Sequence, residues 1–456
     1  MSPKRTSSVL VQSSDTFEAF IGMIGWIVPQ ADWDSSRKQV VTVGRSFSYG
    51  GAAKATSRLV EALRTEATSF LGIETLARGH TGLDAGVRGI RASRRWHHVL
   101  VSWAVKGLRI PLRFLSGFGQ RAPSDYGLIS SGVGKSLAMT SPGIIHLHWI
   151  GDGDLSLREI AQLPRPVVWT MHDMWAFLGA ERFTLTDSYV DGYQTNHGEP
   201  RGRQFVNRMI FSLKKHLWRE PITLVAPSSW LAERARLSPI TRGWPIHVIP
   251  NALDTEFWTP SGTEESRASL GLPADEWIVL FGAVDPVGDH NKGADLLEES
   301  LTGLQKMLSA DERRTIHIAV FGSARRKVNT AGFPVSFLGE LGDHQMRDAY
   351  RSADVVVVPS RLENLPQVAT EAAACGTPVV AFNTCGLPDV VVDGETGLLV
   401  KPFDTQAMAG ALLRLFHDDE LAKRMGKAGR ERAKNLWSYP VVAKQYLELY
   451  SSVISG

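Results

Sequence analysis

Two cysteines, Cys375 and Cys385, are all that 456 residues contain. That is too few for a disulfide framework, and it suits a reducing compartment. No run of 18 or more apolar residues occurs, so no stretch reads as a transmembrane helix. Residues 17–28 (FEAFIGMIGWIV) are apolar but too short to span a bilayer, and they lie too far in, behind Asp15, to resemble a signal peptide. An excess of one charge sign is lacking too. Fifty Lys and Arg against 47 Asp and Glu leave a net charge of +3, so no strong global field is implied. No internal repeat of solenoid type is found. What is present is an ordinary apolar fraction of 43% and a length suited to roughly two to three domains.

The most informative stretch is residues 359–404, PSRLENLPQVATEAAACGTPVVAFNTCGLPDVVVDGETGLLVKPFD. Residues 354–358 (DVVVV) read as a buried strand of a parallel sheet. A turn follows, then a small-residue helix over about 367–375 closed by Gly376, then a second buried strand over 377–382. Ligands in open α/β sheets bind at the carboxyl ends of strands. The loop there carries Glu363, and the helix carries Glu371 eight residues later, a little over two turns on. Two carboxylates are expected to point toward one crevice beside a helix N-terminus. Glu371 stands in an alanine-rich helix, where a charge needs a partner. Asn364 and Leu365 offer backbone N–H groups to an anion or hydroxyl.

The rest of the chain keeps a βα rhythm. Residues 39–44 read as a strand, and Gly50-Gly51 opens a helix over about 52–65. Such a glycine pair lets backbone N–H groups approach a phosphate, although any βα turn can use glycine. Strands are predicted over 143–149, 166–170, 222–226 and 246–249, with helices over 155–162, 203–219 and from 227. Lys214, Lys215 and Arg219 make the second of these helices basic. Strands over 277–283, 315–321 and 335–338 and helices over 294–308, 344–351, 407–416, 420–433 and 440–454 complete the pattern. Residues 85–125 carry Arg88, Arg91, Arg94, Arg95, Lys106, Arg109, Arg113 and Arg121 interleaved with Trp96, Trp103, Phe114 and Phe118. They fit either an anionic membrane surface or a solvated basic face, and no nucleic-acid-binding motif accompanies them. Residues 1–37 read either as an extension covering the first domain or as a leader with one apolar patch.

PSRLENLPQVATEAAACGTPVVA followed by GLPDVVVDGETGLLV resembles the donor-site signature of retaining glycosyltransferases with the GT-B fold. More narrowly, it resembles the family-4 enzymes (glycosyl transferases group 1) of bacterial exopolysaccharide assembly, of the colanic-acid type. GGAAKAT, HLHWI, WTMHDMW and IPNALDTEFWTP carry the same resemblance. It implies an α/β protein of two doubly wound, Rossmann-like domains facing across a cleft. Residues 1–37 would be an N-terminal extension, 38–254 the acceptor-side domain and 255–434 the nucleotide-sugar donor domain. Residues 435–456 would be a helix crossing back to the first.

The resemblance also assigns roles. Glu371 would accept hydrogen bonds from the donor ribose, while Glu363 and the amides of Asn364 and Leu365 would hold the transferred sugar. His172 would touch that sugar from the other side, with Gly50 and Gly51 in the loop between donor and acceptor. Lys292 would bind the donor phosphates. The family's usual phosphate-binding arginine is replaced by Gly282-Ala283-Val284, and Arg325 or Arg326 would substitute for it. Residues 179–183 (GAERF) lack the cysteine that many relatives carry after the aromatic patch. Asp152-Gly153-Asp154 looks like a metal-binding DxD, but it lies away from the expected phosphates and reads as a helix-capping turn. The expectation is therefore a retaining hexosyltransferase with no metal or other cofactor. It would use a UDP- or GDP-sugar and a glycan or polyprenyl-lipid-linked acceptor at the cytoplasmic face of a membrane. The alternative is an inactive GT-B nucleotide- or glycan-binding partner in polysaccharide assembly. A GT-B phosphorylase or epimerase is a further enzymatic reading.

Overall fold

Continuous apolar runs, rather than alternating ones, mark strands whose two faces are both covered by helices. VVTVG and VVVV are buried at every position. The computed structural model describes residues 40–44, 50–66, 73–77, 87–89, 124–130, 132–140, 142–151, 154–282, 289–322 and 328–455. Its first lobe contains β1 (Val40–Gly44), α1 (Gly51–Glu66), β2 (Ile73–Ala77), β3 (Val87–Gly89), α2 (Val133–Thr140), β4 (Ile144–Leu147), α3 (Leu157–Ala161), β5 (Val167–Thr170), α4 (Arg201–Leu217), β6 (Thr223–Ala226), α5 (Ser229–Leu237) and β7 (Ile246–Val248). Its second contains α6 (Thr263–Leu270), β8 (Trp277–Gly282), α7 (Ala294–Met307), α8 (Ala310–Arg314), β9 (Ile316–Phe321), β10 (Val335–Gly339), α9 (Asp343–Ser352), β11 (Val355–Val358), α10 (Gln367–Ala374), β12 (Val379–Phe382), α11 (Leu387–Val390), β13 (Gly397–Val400), α12 (Thr405–His417) and α13 (Asp419–Leu436). The last helix is α14 (Tyr439–Ser455). All of these lie in one compact unit, Gln39–Gly456.

Among the described residues the strands form two parallel sheets, ordered β3-β2-β1-β4-β5-β6-β7 and β10-β9-β8-β11-β12-β13. Both are doubly wound, as the resemblance to GT-B enzymes implies. The strand order reverses between β1 and β4 in one sheet and between β8 and β11 in the other. Crevices open beyond the carboxyl ends of strands at such reversals. The loops after β4, β8 and β11 are those that carry His148, Lys292 and Glu363.

The final helix returns to the first lobe. Val442, Ala443, Tyr446, Leu449 and Tyr450 of α14 pack with Val40, Leu59, Leu63, Ile144, Val168 and Val225. Two buried hydroxyls fix its register. Tyr446 Oη lies 2.9 Å from Thr170 Oγ1, and Tyr450 Oη lies 2.7 Å from His146 Nδ1.

Some boundaries differ from expectation. The helix predicted from residue 155 begins at Leu157, because Ser156 forms a capping box with Glu159: Ser156 Oγ accepts from the Glu159 amide, and Glu159 Oε2 accepts from the Ser156 amide. The capping role read into Asp152-Gly153-Asp154 therefore belongs to Ser156. Asp154 is buried and Asp152 lies outside the described residues. The elements β2, β3, α2, α6, α8, α11 and β13 were not predicted. Among the described residues no helix is long and apolar enough to cross a membrane.

Tyr450→Phe leaves a buried imidazole nitrogen without its partner. It should destabilise the protein by about 1–3 kcal/mol, read as a shift of the denaturant midpoint at unchanged slope. Tyr439→Phe, which loses only a half-exposed bond to Glu61, should cost less than about 1 kcal/mol in the same titration.

Candidate active site

The second lobe contributes a lysine–glutamate pair. After β8 a short 3-10 turn, His290–Lys292, is capped by Asp289, whose Oδ1 accepts from the Asn291 amide at 3.0 Å. Gly293 follows in the left-handed region at φ +70°, and a Cβ there would lie 2.0 Å from the Pro359 carbonyl oxygen. Only glycine permits that approach. It brings Lys292 Nζ to 2.6 Å from Glu363 Oε1, which also accepts from Ser360 Oγ at 3.0 Å. Burial opposes the Lys292 charge, but the Glu363 carboxylate outweighs it and the lysine pKa is raised. The loop is braced on both sides. Arg361 forks onto Asp295 at 2.8 and 2.6 Å, and the Gly386 amide donates to the Glu363 carbonyl at 3.0 Å. Gly386 has no room for a side chain, since a Cβ would lie 1.4 Å from the Asn364 carbonyl oxygen.

Glu371 is occupied from the other lobe. It is 3% exposed; Oε1 lies 2.7 Å from Arg58 Nη2 on α1, and Oε2 accepts from Tyr350 Oη at 2.9 Å. Burial opposes the Arg58 charge, yet its pKa is raised by Glu371. Thus Glu363 and Glu371 share no partner among the described residues. Glu363 stands in the loop ahead of α10, so helical spacing does not govern where it points. The partner that the buried Glu371 requires is Arg58, which the sequence reading passed over. Its signal was its place on α1, at i+3 from Ala55 and i−4 from Ala62, both buried. Gly51 opens the same helix, its carbonyl accepting from Gln367 Nε2 at 2.5 Å. Gly50 has φ +91°, a backbone that favours glycine. Lys54 reaches Asp343 at 2.6 Å.

The first lobe contributes two buried histidines, His146 and His148, and a half-buried one, His172. His146 Nε2 lies 2.8 Å from Thr170 Oγ1, and His148 Nδ1 lies 3.0 Å from His172 Nε2. Burial lowers all three pKa values, that of His172 to about 4 and that of His146 to about 3. His148 Nε2 is buried with no partner among the described residues. Asp173 closes its own turn by accepting from the Trp175 amide, and its other oxygen takes Trp149 Nε1 at 3.1 Å and Arg182 at 2.9 Å. Arg182 also reaches Asp125 at 3.3 Å and lies over the Trp149 ring. These residues surround a small open recess, lined by His148, Trp149, His172, Asp173, Trp175 and Arg182.

The wall behind the recess rests on α4. Lys214 is fully buried and donates to the carbonyls of Trp175, Leu178 and Gly179. Burial pushes its pKa well down, yet three carbonyl acceptors require the three N–H bonds that only the protonated form supplies. Asn207 Oδ1 accepts from the amides of Ala180 and Glu181. Burial raises the Glu181 pKa to about 7, and its carboxylate accepts from Tyr193. The segment that lacks the relatives' cysteine is therefore held by buried polar groups.

Asn364 joins the two halves. Its Nδ2 donates to the carbonyl of Met171, next to His172, at 3.1 Å, and its Oδ1 accepts from Ser228 at 2.8 Å. Leu365 is buried. Arg325, Arg326 and residues 283–284 lie outside the described residues. So do residues 1–37 and, apart from β3 and residues 124–125, the basic stretch 85–125.

Arg58→Met strands a buried carboxylate and should cost about 3–5 kcal/mol by denaturant titration, with the double variant Arg58→Met/Glu371→Gln costing less than the sum. The histidines make a separate prediction. Their folded pKa values lie below the ordinary 6.5, so between pH 6.5 and about 4 the unfolded chain binds protons that the folded chain refuses. Stability should fall as pH falls through that window. Glu181 acts with the opposite sign above its ordinary 4.5, one group against three. Imidazole NMR should show none of the three histidines titrating between pH 8 and about 5.

Two family profiles match the chain: Glycosyltransferase Family 4 over residues 49–257 and Glycosyl transferases group 1 over residues 262–432. D-inositol 3-phosphate glycosyltransferase of Corynebacterium efficiens is 35% identical over 227 residues, 46% of this chain and 52% of that protein. The chain thus spans about half the length of that relative. The enzyme of the same name from Corynebacterium aurimucosum is 32% identical over 331 residues, 68% of this chain and 72% of that protein. Sucrose-phosphate synthase from Thermosynechococcus elongatus shares the fold, with a TM-score of 0.61 at 22% identity over 92% of this chain and 100% of that one. With its two doubly wound lobes in the GT-B arrangement, the chain belongs to the family-4 glycosyltransferases, the glycosyl transferases group 1.

Proposed function

We propose that the chain transfers a sugar from a nucleotide-sugar donor to a hydroxyl of a glycan or lipid-linked acceptor, with retention at the anomeric carbon, in surface or exopolysaccharide synthesis. The observation that carries this is the Lys292–Glu363 pair beyond β8 and β11, tied through Asn364 to the loop of His172. In this reading Lys292 faces the donor diphosphate, with Arg325 or Arg326 as a second cation, and Glu363 and the amides of Asn364 and Leu365 hold the sugar. The acceptor oxygen bonds to the anomeric carbon on the face from which the diphosphate leaves. The acceptor proton passes to the departing phosphate oxygen, and Lys292 stabilises the charge that develops there. No divalent ion is needed, because the lysine takes that role.

His172, with its pKa lowered to about 4, acts as a neutral hydrogen-bonding group near neutral pH. The first-lobe recess suits the acceptor. Asp125 and Asp173 neutralise Arg182 and the histidines are uncharged, so the described lining offers no net positive charge to a phosphate. That favours a neutral saccharide hydroxyl over an acceptor such as the inositol 3-phosphate in the relatives' name.

One observation favours the second reading, a nucleotide- or glycan-binding partner without transfer: both Glu371 oxygens are already engaged. Thermal shift with UDP, GDP and ADP identifies the base, since a ligand of the folded state raises its midpoint. Transfer to a membrane extract, unaffected by EDTA, should then fall at least about 100-fold in Glu363→Ala, while Lys292→Ala should also weaken nucleotide binding. Nucleotide binding without transfer or hydrolysis, unchanged in Glu363→Ala, would establish the second reading instead.

A further inference from the structure

Helix α4 has two faces with different chemistry. Its inner face carries Asn207 and Lys214 to the wall of the recess. Its outer face has no role in the site. Between Arg201 and Arg219 the sequence RGRQFVNRMIFSLKKHLWR contains no acidic residue. The exposed positions are Arg201, Phe205, Arg208, Met209, Ser212, Lys215 and His216. At 100° per residue they fall within an arc of about 120°. Phe205 is 66% exposed, the largest exposure among the large apolar side chains described, and Met209 is 37% exposed. Arg201, Arg208 and Lys215 form no ion pair among the described residues. The first acids on either side in the chain are engaged elsewhere, Glu199 by Thr186 and Ser188, Glu220 beside Arg165.

Exposing a phenylalanine and a methionine amid uncompensated cations is unfavourable in water. It is favourable where the apolar pair enters an acyl layer and the cations meet anionic headgroups. We infer that the outer face of α4 is a docking surface for an anionic lipid bilayer, with Phe205 and Met209 inserting and Arg201, Arg208 and Lys215 contacting headgroups. A nucleic acid would use the cations but gain little from the apolar pair. The helix lies outside the basic stretch 85–125 in the sequence, and its docking does not depend on which reaction the cleft performs.

The test is flotation of the full-length chain with vesicles of phosphatidylcholine alone and of phosphatidylcholine containing about one third phosphatidylglycerol. Binding is expected only to the anionic vesicles and should weaken with salt. It should fall about tenfold or more both in Phe205→Ser/Met209→Ser and in Arg208→Glu/Lys215→Glu. The side chains are exposed, so the thermal midpoint of either variant should not move, which separates lost docking from lost folding. Absence of binding to anionic vesicles, or equal binding to neutral ones, would overturn the inference. So would vesicle binding unchanged in both variants, which would assign it to another segment such as 85–125. Binding of polyuridylate that is lost on charge reversal but kept in the serine variant, with no vesicle binding, would make the face a nucleic-acid surface instead.

Discussion

The Arg58–Glu371 pair is the interaction on which the apposition of the lobes turns. Taking either charge out of water costs several kcal/mol, and only a partner with good geometry offsets that. Here each ion finds its partner on the opposite lobe, and Tyr350 completes the carboxylate. If the lobes part, both charges return to water, so the pair favours the joined arrangement without forbidding separation. Lys54–Asp343 and Gln367–Gly51 lie on the same helix and reinforce it at its exposed end. In the proposed transfer, donor hydroxyls that reach Glu371 would have to share it with Arg58 or displace it. Donor binding and lobe apposition are thereby linked through one carboxylate.

Around that pair the fold supplies two strand-order reversals, and the chain fills them differently. On the second lobe, close backbone approaches at Gly293 and Gly386 set Lys292 and Glu363 in place. Any side chain at either glycine would meet a carbonyl, so sterics act together with the hydrogen bonds that brace the loop. On the first lobe the equivalent work is done by buried polar groups, with Lys214 and Asn207 holding a loop by its carbonyls and amides.

Much of this was legible in the residues. Continuous β-branched runs gave the strands, glycines gave the helix ends, and the Glu363-to-Glu371 stretch marked the ligand-binding edge. What was hidden depends on contacts distant in sequence. Lys214 read only as one of three basic residues of its helix, yet it sits on the stripe of Asn207, Ile210 and Phe211 and is fully buried. Arg58 was hidden in the same way. A charge at an apolar position of a helix announces a buried partner but cannot name it, because the partner may come from any element the fold brings near. The departure at Asp152-Gly153-Asp154 had a local cause: Ser156 with Glu159 is the stronger capping pair, and that pair was already readable in the sequence.

The buried ionisable groups then sort themselves by partner. Arg58, Lys292 and Arg182 each face a carboxylate. The three histidines have only hydroxyls, one another and, for His172, the neighbouring Asp173, whose attraction burial outweighs, so they are neutral near pH 7. The first-lobe recess therefore presents hydrogen-bonding groups without net positive charge, while the second lobe presents Lys292, which faces one carboxylate where Arg182 faces two. A diphosphate seeks the cation, and a saccharide hydroxyl is served by neutral donors and acceptors. The two halves of the cleft thus differ in their chemistry, and this difference fits the proposed reaction, with donor and acceptor on opposite lobes.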